Sequence, residues 1–448
     1  MTNFFFKGNT SLFSVWVFLI LAGLQAAGQG REFTRSNFPD DRDAFQGVMQ
    51  ELSYGDYYYD IQWPNYPQAL YHYRKAMDFN PDNARLNYRV GVCYLNSVNS
   101  NKAPEYLKRA IELGIEEVDV YYQLGKAYQQ NYRFEEAIEQ FNHYMERAGE
   151  KGRTNAERRI AGCYNAMELM KNPVEVVIEN AGEQINSAYD DYRPLLSPDG
   201  STLYFTSRRP LRDNAATDYL DRKYYENVFV SPEEGSTWAE AKPVEGKINT
   251  SGHESAVGVW PDGRHLLIYR GDKSRDVHKS TWYNREWTRL RKLPRELRSP
   301  GSKETSIVFT SDGRRVFFIS DRDGGVGGKD IWTSIMNSNG RWGEATNLGS
   351  HINTPLDEEG LYLAPDNVTL YFSSQGHNSM GGFDVFKTVF RAGMWSKPEN
   401  LGYPVNTPHD DLFFVMSPSG DEAWYTSMRP GGNGGFDIYR ITFAGEEK

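Results

Sequence analysis

The sequence predicts two unlike domains, an α-helical repeat array followed by an all-β propeller. Three observations support this prediction: a 34-residue period in the first half, a Pro-Asp-Gly turn that recurs in the second half, and a change of hydrophobic pattern near residue 174. The chain has 448 residues, 39% of them hydrophobic and 14% aromatic, which is enough for two or three domains with cores of their own.

The first 28 residues have the order of a secretory signal peptide. Lys7 precedes an apolar run, and small residues including Ala26 and Ala27 follow it, so we expect cleavage near Gly28. The alternative is an uncleaved anchor, although a span needs about 20 apolar residues and this run is shorter. We expect no integral membrane span after cleavage. The predicted location is the periplasm, with outer-membrane association through partners.

Charge and cysteine content exclude several classes of protein. Lys+Arg number 50 against 60 Asp+Glu, and the net charge of -10 argues against a basic surface for nucleic acid. The two cysteines, Cys93 and Cys163, fall in helical patterns two repeats apart. That separation is too large for a disulfide, so we expect both to be buried as small hydrophobic residues.

The helical half repeats small and large apolar residues at fixed spacing. The residues that recur 34 positions apart are Ala69, Ala103 and Ala137; Tyr73, Leu107 and Phe141; and Gly91 and Gly125. Small residues let two helices approach, and the large residue fills the groove beside them. Three units are predicted at 45–82, 83–117 and 118–151, with a capping helix at 155–171. The spacing of Leu124, Gly125, Tyr128, Ala137 and Phe141 resembles the tetratricopeptide pattern, so residues 45–171 are predicted to form such an array.

Stacked units of this kind curve into a concave surface lined by the first helix of each unit. The side chains predicted to face that surface, and to bind a partner there, are Tyr88, Arg89, Tyr121, Tyr122 and Gln123. The alternative is that Tyr88 and Tyr121 are core residues.

The second half, residues 174–448, repeats a turn between two short apolar strands. The turns are Ser197-Pro198-Asp199-Gly200, Trp260-Pro261-Asp262-Gly263, Thr310-Ser311-Asp312-Gly313, Ala364-Pro365-Asp366-Asn367 and Ser417-Pro418-Ser419-Gly420. A turn then leads into a third strand, and a fourth begins near a tryptophan. Three of these turns contain the double glycines Gly327-Gly328, Gly381-Gly382 and Gly434-Gly435. Four strands in about fifty residues make one blade of a β-propeller.

Closure of the propeller decides the number of blades. The last unit ends after its third strand, whereas residues 174–182 provide a spare strand before the first unit. Pairing of these two segments closes five blades and removes the free sheet edges. A sixth blade requires a hidden unit within the insertion at residues 208–225, and this is the alternative.

An acidic residue stands nine positions before the end of every turn. These residues are Asp191, Glu254, Glu304, Glu358 and Asp411. Because the innermost strands start at one mouth of the channel, we expect a ring of carboxylates that binds a cation or a basic peptide. The alternative is structural: each carboxylate accepts backbone N–H bonds or pairs with an arginine such as Arg208, Arg322 or Arg429.

No pattern in the sequence predicts a catalytic residue, a metal site or a cofactor. The eight histidines lack zinc-ligand spacing, and Asp321 and Asp323 beside a glycine-rich turn lack the full alternation of a calcium loop. The segment 231–238 is similar to the Asp-box turn of sialidases, but it occurs once.

The turns and the double glycines resemble the repeats of TolB-type propellers. A tetratricopeptide array followed by such a propeller resembles the N-terminal part of OmpA-family envelope proteins associated with type IX secretion and gliding. The resemblance implies a non-catalytic scaffold that binds protein partners of the cell envelope through the array and the propeller face. The alternative function is that of a carbohydrate-active, glycosidase-like propeller enzyme.

Overall fold

The computed structural model describes residues 30–40, 42–235, 237–271 and 275–443, so the predicted signal peptide lies outside the described residues. The helices are α1 (Arg42–Asp60), α2 (Tyr66–Phe79), α3 (Ala84–Leu95), α4 (Ala103–Glu112), α5 (Asp119–Gln130), α6 (Phe134–Ala148) and α7 (Glu150–Leu169). Short 3-10 helices cover Arg35–Asn37, Ser100–Lys102 and Arg295–Leu297.

The helices form three pairs and a final single helix, as the repeat predicts. α1 packs on α2, α3 on α4 and α5 on α6, and α7 packs on α6. Side chains cap two of the helix starts: Asn65 accepts the Gln68 N–H at 3.2 Å, and Asn83 accepts the Leu86 N–H at 2.9 Å. Prolines in the first turns of α2 and α4 occupy positions where no backbone N–H is needed.

Glycine sets how closely the two helices of a pair approach. A Cβ on Gly91 would lie 2.6 Å from Leu107, and a Cβ on Gly125 would lie 2.6 Å from the Phe141 ring. Leu107 and Phe141 are both fully buried. The small and large residues that define the period therefore touch across each helix pair, which confirms the basis of the array prediction.

The second domain is a propeller of five four- or five-stranded sheets. Its strands are β1 (Val176–Asn180), β2 (Asp191–Leu196), β3 (Thr202–Ser207), β4 (Asn227–Glu234), β5 (Thr237–Trp238), β6 (Lys242–Pro243), β7 (Glu254–Val259), β8 (His265–Arg270), β9 (Val277–Tyr283), β10 (Glu286–Trp287), β11 (Arg291–Lys292), β12 (Glu304–Phe309), β13 (Arg315–Ser320), β14 (Asp330–Ile335), β15 (Thr346–Asn347), β16 (Glu358–Leu363), β17 (Thr369–Ser374), β18 (Asp384–Arg391), β19 (Met394–Trp395), β20 (Glu399–Asn400), β21 (Asp411–Met416), β22 (Glu422–Ser427) and β23 (Asp437–Phe443).

The first and last strands of this domain close the ring. β1 pairs antiparallel with β23, with Val176 opposite Phe443 and Asn180 opposite Tyr439, and completes the sheet β1-β23-β22-β21. This pairing confirms the closure predicted for residues 174–182. The insertion at 208–225 holds no extra blade, and the count is five.

Neighbouring blades are joined by asparagines in a repeated position. Asn353 accepts the Ile331 N–H at 2.8 Å and donates to the Ile331 carbonyl at 3.1 Å. Three further asparagines bond in the same two-way manner to a third-strand residue: Asn186 to Ile438, Asn249 to Val228 and Asn406 to Val385. Each therefore satisfies both polar groups of a buried backbone position.

The double glycines leave room in each turn for an aspartate from the start of the next blade. Asp410, which starts the last blade, accepts the Phe383 N–H at 2.9 Å. A Cβ on Gly382 would lie 2.5 Å from the same Asp410 oxygen, so only glycine leaves room for the carboxylate. The pairs Gly328 with Asp357 and Gly435 with Asp190 repeat this arrangement.

The array is seated on one face of the propeller, at the end where the innermost strands begin. Met380, in the turn before β18, is fully buried within the core of the array. Gln129 donates to the Met380 carbonyl at 3.2 Å, and His409 bonds the Gln130 carbonyl at 3.1 Å. At the other end of the array, Asn65 donates to the Asp221 carbonyl at 3.0 Å.

Two further expectations concern the cysteines and membrane-spanning helices. Cys93 and Cys163 are free thiols, both fully buried in the array core. Among the described ranges, no helix has the length and apolar character needed to cross a membrane.

Candidate functional site

The central channel of the propeller is the first candidate site. The strands β2, β7, β12, β16 and β21 each contact the next around the ring and therefore form its wall. Every one of them begins with a predicted acidic residue, which places the five carboxylates at the array end of the channel. Burial of these side chains is nearly complete, with exposed fractions from 0% to 2%.

Each acidic side chain accepts a hydroxyl bond from a nearby serine or threonine. The five bonds, 2.6 to 2.8 Å long, run from Ser187 to Asp191, Thr250 to Glu254, Ser302 to Glu304, Thr354 to Glu358 and Thr407 to Asp411. Four of the carboxylates also pair with an arginine of the same blade: Arg209 with Asp191, Arg270 with Glu254, Arg322 with Glu304 and Arg429 with Asp411.

Glu358 is the exception in this ring. Among the described residues, no cation lies within ion-pair distance of its carboxylate, and Gly376 stands where three of the other blades have arginine. A Cβ at Gly376 would lie 2.5 Å from Thr354, so the hydroxyl that bonds Glu358 leaves no room for a side chain. Burial raises the pKa of Glu358 to about 8, which favours the neutral form of its carboxyl group.

These contacts support the structural alternative for the acidic ring. Buried carboxylates that are saturated by hydroxyls and guanidinium groups stabilise the blade in which they lie. Binding of a cation or a basic peptide by the ring stays a prediction. Arg322 and Arg429 make the pairs expected for them, whereas Arg208 bonds Asp221 of the insertion at 2.6 Å and leaves Asp191 to Arg209.

A single arginine crosses the channel below the acidic ring. Arg193 donates to the Thr305 carbonyl at 2.7 Å, lies 3.7 Å from the Glu359 carboxylate and stacks on Phe413, 4.2 Å from the ring centroid. Glu359 is also bonded by Lys329. Arg193 has a φ of 56° in a bulge of β2, and no sequence signal predicted this role.

Beyond Arg193 the channel widens into an apolar cavity of about 300 Å³. Its wall consists of aliphatic and aromatic residues such as Val257, Leu361 and Phe413, and the turn prolines Pro198, Pro261, Pro365 and Pro418 stand at its rim. The cavity therefore lies at the face opposite the array. None of the five acidic ring residues lines it.

The residues predicted for the concave array surface are largely committed to contacts between repeats. Arg89 is 8% exposed, and its guanidinium bonds Asp56 at 2.5 Å, Asp60 at 3.2 Å and the Tyr73 hydroxyl at 2.8 Å. It therefore joins α3 to α1. Tyr88 donates to Asp119 at 2.8 Å, and this carboxylate also accepts from Gln123 at 2.8 Å.

The two remaining predicted residues pack against the following helix. Tyr121 lies under Arg147, whose guanidinium carbon is 4.6 Å from the ring centroid. Tyr122 packs against Phe141 and Tyr144 at centroid distances of 5.6 and 5.2 Å. Tyr88, Tyr121, Tyr122 and Gln123 keep partial exposure, so their role in partner binding stays a prediction.

An aromatic patch on the first helix pair was not predicted. We define the aromatic patch as Tyr54, Tyr57, Tyr58, Tyr71 and His72, whose rings contact one another at centroid distances of 5.1 to 5.7 Å. Tyr54, Tyr57 and Tyr71 are 46%, 45% and 58% exposed. The cluster of tyrosines in residues 54–59 is the signal that sequence reasoning missed.

No group of His, Cys, Asp and Glu side chains in the described part of the chain is arranged to hold a metal ion. Asp321, considered for calcium, accepts the Lys303 N–H at 2.6 Å and so takes part in a protein contact.

Comparison with known proteins gives two partial likenesses. A tetratricopeptide repeat family model matches residues 118–150. No curated protein matches the chain. A putative TolB from Agrobacterium tumefaciens is 16% identical, with a TM-score of 0.35, and the alignment covers 60% of this chain and 98% of that one.

Two other solved structures are similar in part. The TPR domain of Arabidopsis OM64 is 20% identical, with 26% of this chain and 96% of that chain covered and a TM-score of 0.24. A gluconolactonase from Xanthomonas campestris is 12% identical, with 60% and 90% covered and a TM-score of 0.37. The chain consists of a helical array, in which residues 118–150 match the tetratricopeptide repeat, followed by a five-bladed propeller.

Proposed function

We propose that this protein is a non-catalytic scaffold of the cell envelope that holds one protein partner on its array and another in its propeller channel. The observation that carries the proposal is the placement of two surfaces on opposite sides of one packed body. The array covers the face where the innermost strands begin, and the apolar cavity lies at the other face.

The aromatic patch supports the array half of the proposal. Large exposed aromatic side chains in contact with one another are unusual on a monomer and are enriched where proteins bind each other. Tyrosine buries much area at little entropic cost, because its ring has few rotatable bonds. The patch therefore provides a binding surface for a protein partner.

The cavity supports the propeller half. A cavity of about 300 Å³ holds one or two large apolar side chains, and its wall is mainly aliphatic and aromatic, which favours their burial. Arg193 lies at the inner end of the cavity, where its guanidinium can donate a hydrogen bond to a carbonyl group of the bound segment. We propose that an apolar segment of a partner enters there.

The proposed location is the periplasm, with partners of the envelope. It rests on the predicted signal peptide at residues 1–28. Association with an OmpA-type or type IX secretion assembly is part of the proposal and rests on the order of the two domains.

Capture of partners from envelope extract, with crosslinking and mass spectrometry, tests the array half. We expect wild-type protein to capture specific partners and the double variant Tyr54→Ser/Tyr71→Ser to lose some of them. Tyr164, which is 58% exposed on α7 away from the patch, provides the control variant Tyr164→Ser. Capture that is equal in all three proteins would contradict a role for the patch.

The same extract tests the cavity. Leu363→Lys places a cation in the cavity wall, whereas Ile335→Lys makes the matched change at an outer position that is 51% exposed. We expect only the first to lose a partner, with folding of both checked by circular dichroism. Absence of any partner of wild-type protein, together with hydrolysis of a wall glycan, would favour the carbohydrate-active alternative.

A further inference from the structure

Three cations meet at the junction of the array with the propeller without an acidic partner. Lys126 lies on α5, and Arg158 and Arg159 are consecutive on α7. Among the described residues, no carboxylate lies within 4.0 Å of any of their charged nitrogens. We call these three residues the junction cations.

Their surroundings make this lack of partners costly. Burial, and then the charge of Arg159, lowers the pKa of Lys126 to about 8. The same two causes lower the pKa of Arg158 from its usual value. Arg159 donates to the Gly381 carbonyl and Arg158 bonds the Tyr122 hydroxyl, so only neutral groups bond these two guanidinium groups. The Nε of Arg159 is buried and has no hydrogen-bond partner among the described residues. Buried charges and polar atoms are normally paired.

The nearest carboxylates are already engaged. Asp410 accepts the Phe383 N–H of the neighbouring blade. Asp119 accepts from Tyr88 and Gln123. Both act on Lys126 only through space. An anionic ligand would therefore meet positive charge that neutral groups bond but do not balance, and no described acidic group lies at contact distance from these three cations.

The charge balance indicates what kind of anion fits. Three cations against two carboxylates leave one net positive charge, which suits a single carboxylate better than a phosphate dianion. Lys126, Arg158 and Arg159 remain partly exposed, so a ligand can reach them from solvent. Arginine guanidinium groups match a carboxylate in geometry as well as in charge.

We propose that the junction cations bind a carboxylate of a peptide segment from a protein partner. The inference rests on the proposed function, because it names the chemistry by which one partner is held. It adds a binding position at the seam of the two domains, where a bound peptide contacts α5 and α7 together.

Binding of a labelled tri-glutamate peptide to the full chain, followed by fluorescence anisotropy, tests the proposal. Lys126→Gln removes one cation at the junction, and Lys108→Gln makes the same change on the exposed surface of α4. We expect the first to lower affinity at least tenfold and the second to leave it unchanged, with equal melting temperatures in both. Equal losses in the two variants, or no binding by wild-type protein at about 1 mM peptide, overturns the proposal.

Two further measurements test which kind of anion binds and whether Lys126 takes part in binding. Inorganic phosphate and acetate are compared as competitors of the peptide. If phosphate displaces it with the higher affinity, the site is a phosphate site and the carboxylate assignment is overturned. Because Lys126 loses its proton near pH 8, wild-type affinity is expected to fall between pH 7 and pH 9, and that of Lys126→Gln to stay level. A wild-type affinity that does not change over this range contradicts the assignment.

Partner capture separates this inference from the proposed function. If Lys126→Gln captures every wild-type partner with unchanged yield, the carboxylate site is contradicted and the scaffold stands. If the wild-type chain captures no partner, the scaffold itself is contradicted, whatever the peptide shows.

Discussion

The five ring carboxylates, from two aspartates and three glutamates, show how equivalent acidic positions take two electrostatic states within the same fold. Four of them meet an arginine, whereas Glu358 is bonded by two hydroxyls and the Thr354 backbone N–H. A buried carboxylate without a cation favours its neutral form, because burial penalises the charge. The sequence places Gly376 where the arginine would be, so the difference is encoded in the chain.

Glu358 is expected to make stability depend on pH. With a folded pKa of about 8 against 4.5 for the free residue, the folded state keeps a proton that the unfolded state loses between these values. Stability therefore falls as pH rises through this window, by roughly 1.4 kcal/mol per pH unit at most. Glu358→Gln removes this slope. In urea unfolding at pH 5, 7 and 9, the free energy of unfolding of the variant should increase relative to that of wild type as pH rises.

Asp191→Asn is the matched change at a paired position. It leaves the Arg209 guanidinium, with a side chain 17% exposed, without its carboxylate, and we expect a loss of roughly 3 kcal/mol in the same assay. If Glu358→Gln and Asp191→Asn changed the free energy of unfolding equally at every pH, the distinction between the unpaired and the paired carboxylates would be contradicted.

At the scale of secondary structure elements, close approach is made possible by glycine in the helix pairs and at the blade contacts. Gly125 faces Phe141 across α5 and α6, and Gly382 faces Asp410 between two blades. In both cases a missing Cβ leaves space that a neighbouring element fills. Interiors are packed closely enough that such positions resist enlargement.

Gly125→Leu is expected to destabilise the array by about 2 kcal/mol, because the new side chain meets the buried Phe141 ring. Gly47, which lies in α1 with open space around its Cβ position, is the control. Gly47→Leu is expected to stabilise α1 by up to about 1 kcal/mol through helix propensity. Thermal unfolding followed by far-UV circular dichroism distinguishes them, and an equal loss in both would be inconsistent with the packing argument.

Asn353→Ala is expected to weaken the contact between two blades. It leaves the N–H and the carbonyl of Ile331 without partners, at a cost of roughly 2 kcal/mol or more. Asn339, exposed in a hairpin of the same blade, should tolerate alanine within about 0.5 kcal/mol. Denaturant midpoints of the two variants provide the measurement, and similar midpoints would count against the role of these asparagines.

At the scale of the whole molecule, the seam between β1 and β23 ties the array to the propeller. β1 follows α7 after a short connection and completes the last blade. The array is therefore linked to the propeller by the strand that closes it, and by the contacts around Met380 and His409.

Two truncated chains test closure. A chain that starts at residue 172 keeps β1 and is expected to be monomeric, whereas one that starts at residue 182 lacks β1 and exposes the edge of β23. Exposed edges pair with other chains, so the shorter chain is expected to aggregate or to melt at a lower temperature. Size-exclusion chromatography with light scattering compares them, and identical behaviour would refute the role assigned to β1.

Much of the fold was predictable because it repeats. The recurring turns gave the blades, and the spare segment at 174–182 predicted closure. The pairing of Arg209 with Asp191 could have been predicted from the sequence. In three blades a serine (Ser207, Ser320 or Ser427) stands two residues before the arginine that bonds the ring carboxylate. The asparagine contacts were also signalled, by the recurring Asn-Thr or Asn-Ser pairs at 186, 249, 353 and 406.

What the sequence did not predict occurs only once in the chain. Met380 enters the array core, and Arg193 crosses the channel, each without an equivalent in other repeats. The junction cations depend on how the two domains pack, which no local pattern specifies. Repetition thus predicted the scaffold of the molecule, and the candidate binding positions required its three-dimensional packing.

Because β1 is synthesised before the other propeller strands and β23 after them, the ring cannot close until β23 has been made. Until then, a nascent chain carries the array followed by a strand whose partner lies 267 residues further along the chain, as the pairing of Val176 with Phe443 shows. Even a premature stop that removes only β23 would leave that strand without its match. Synthesis of β23 is thus the event that allows the propeller to close.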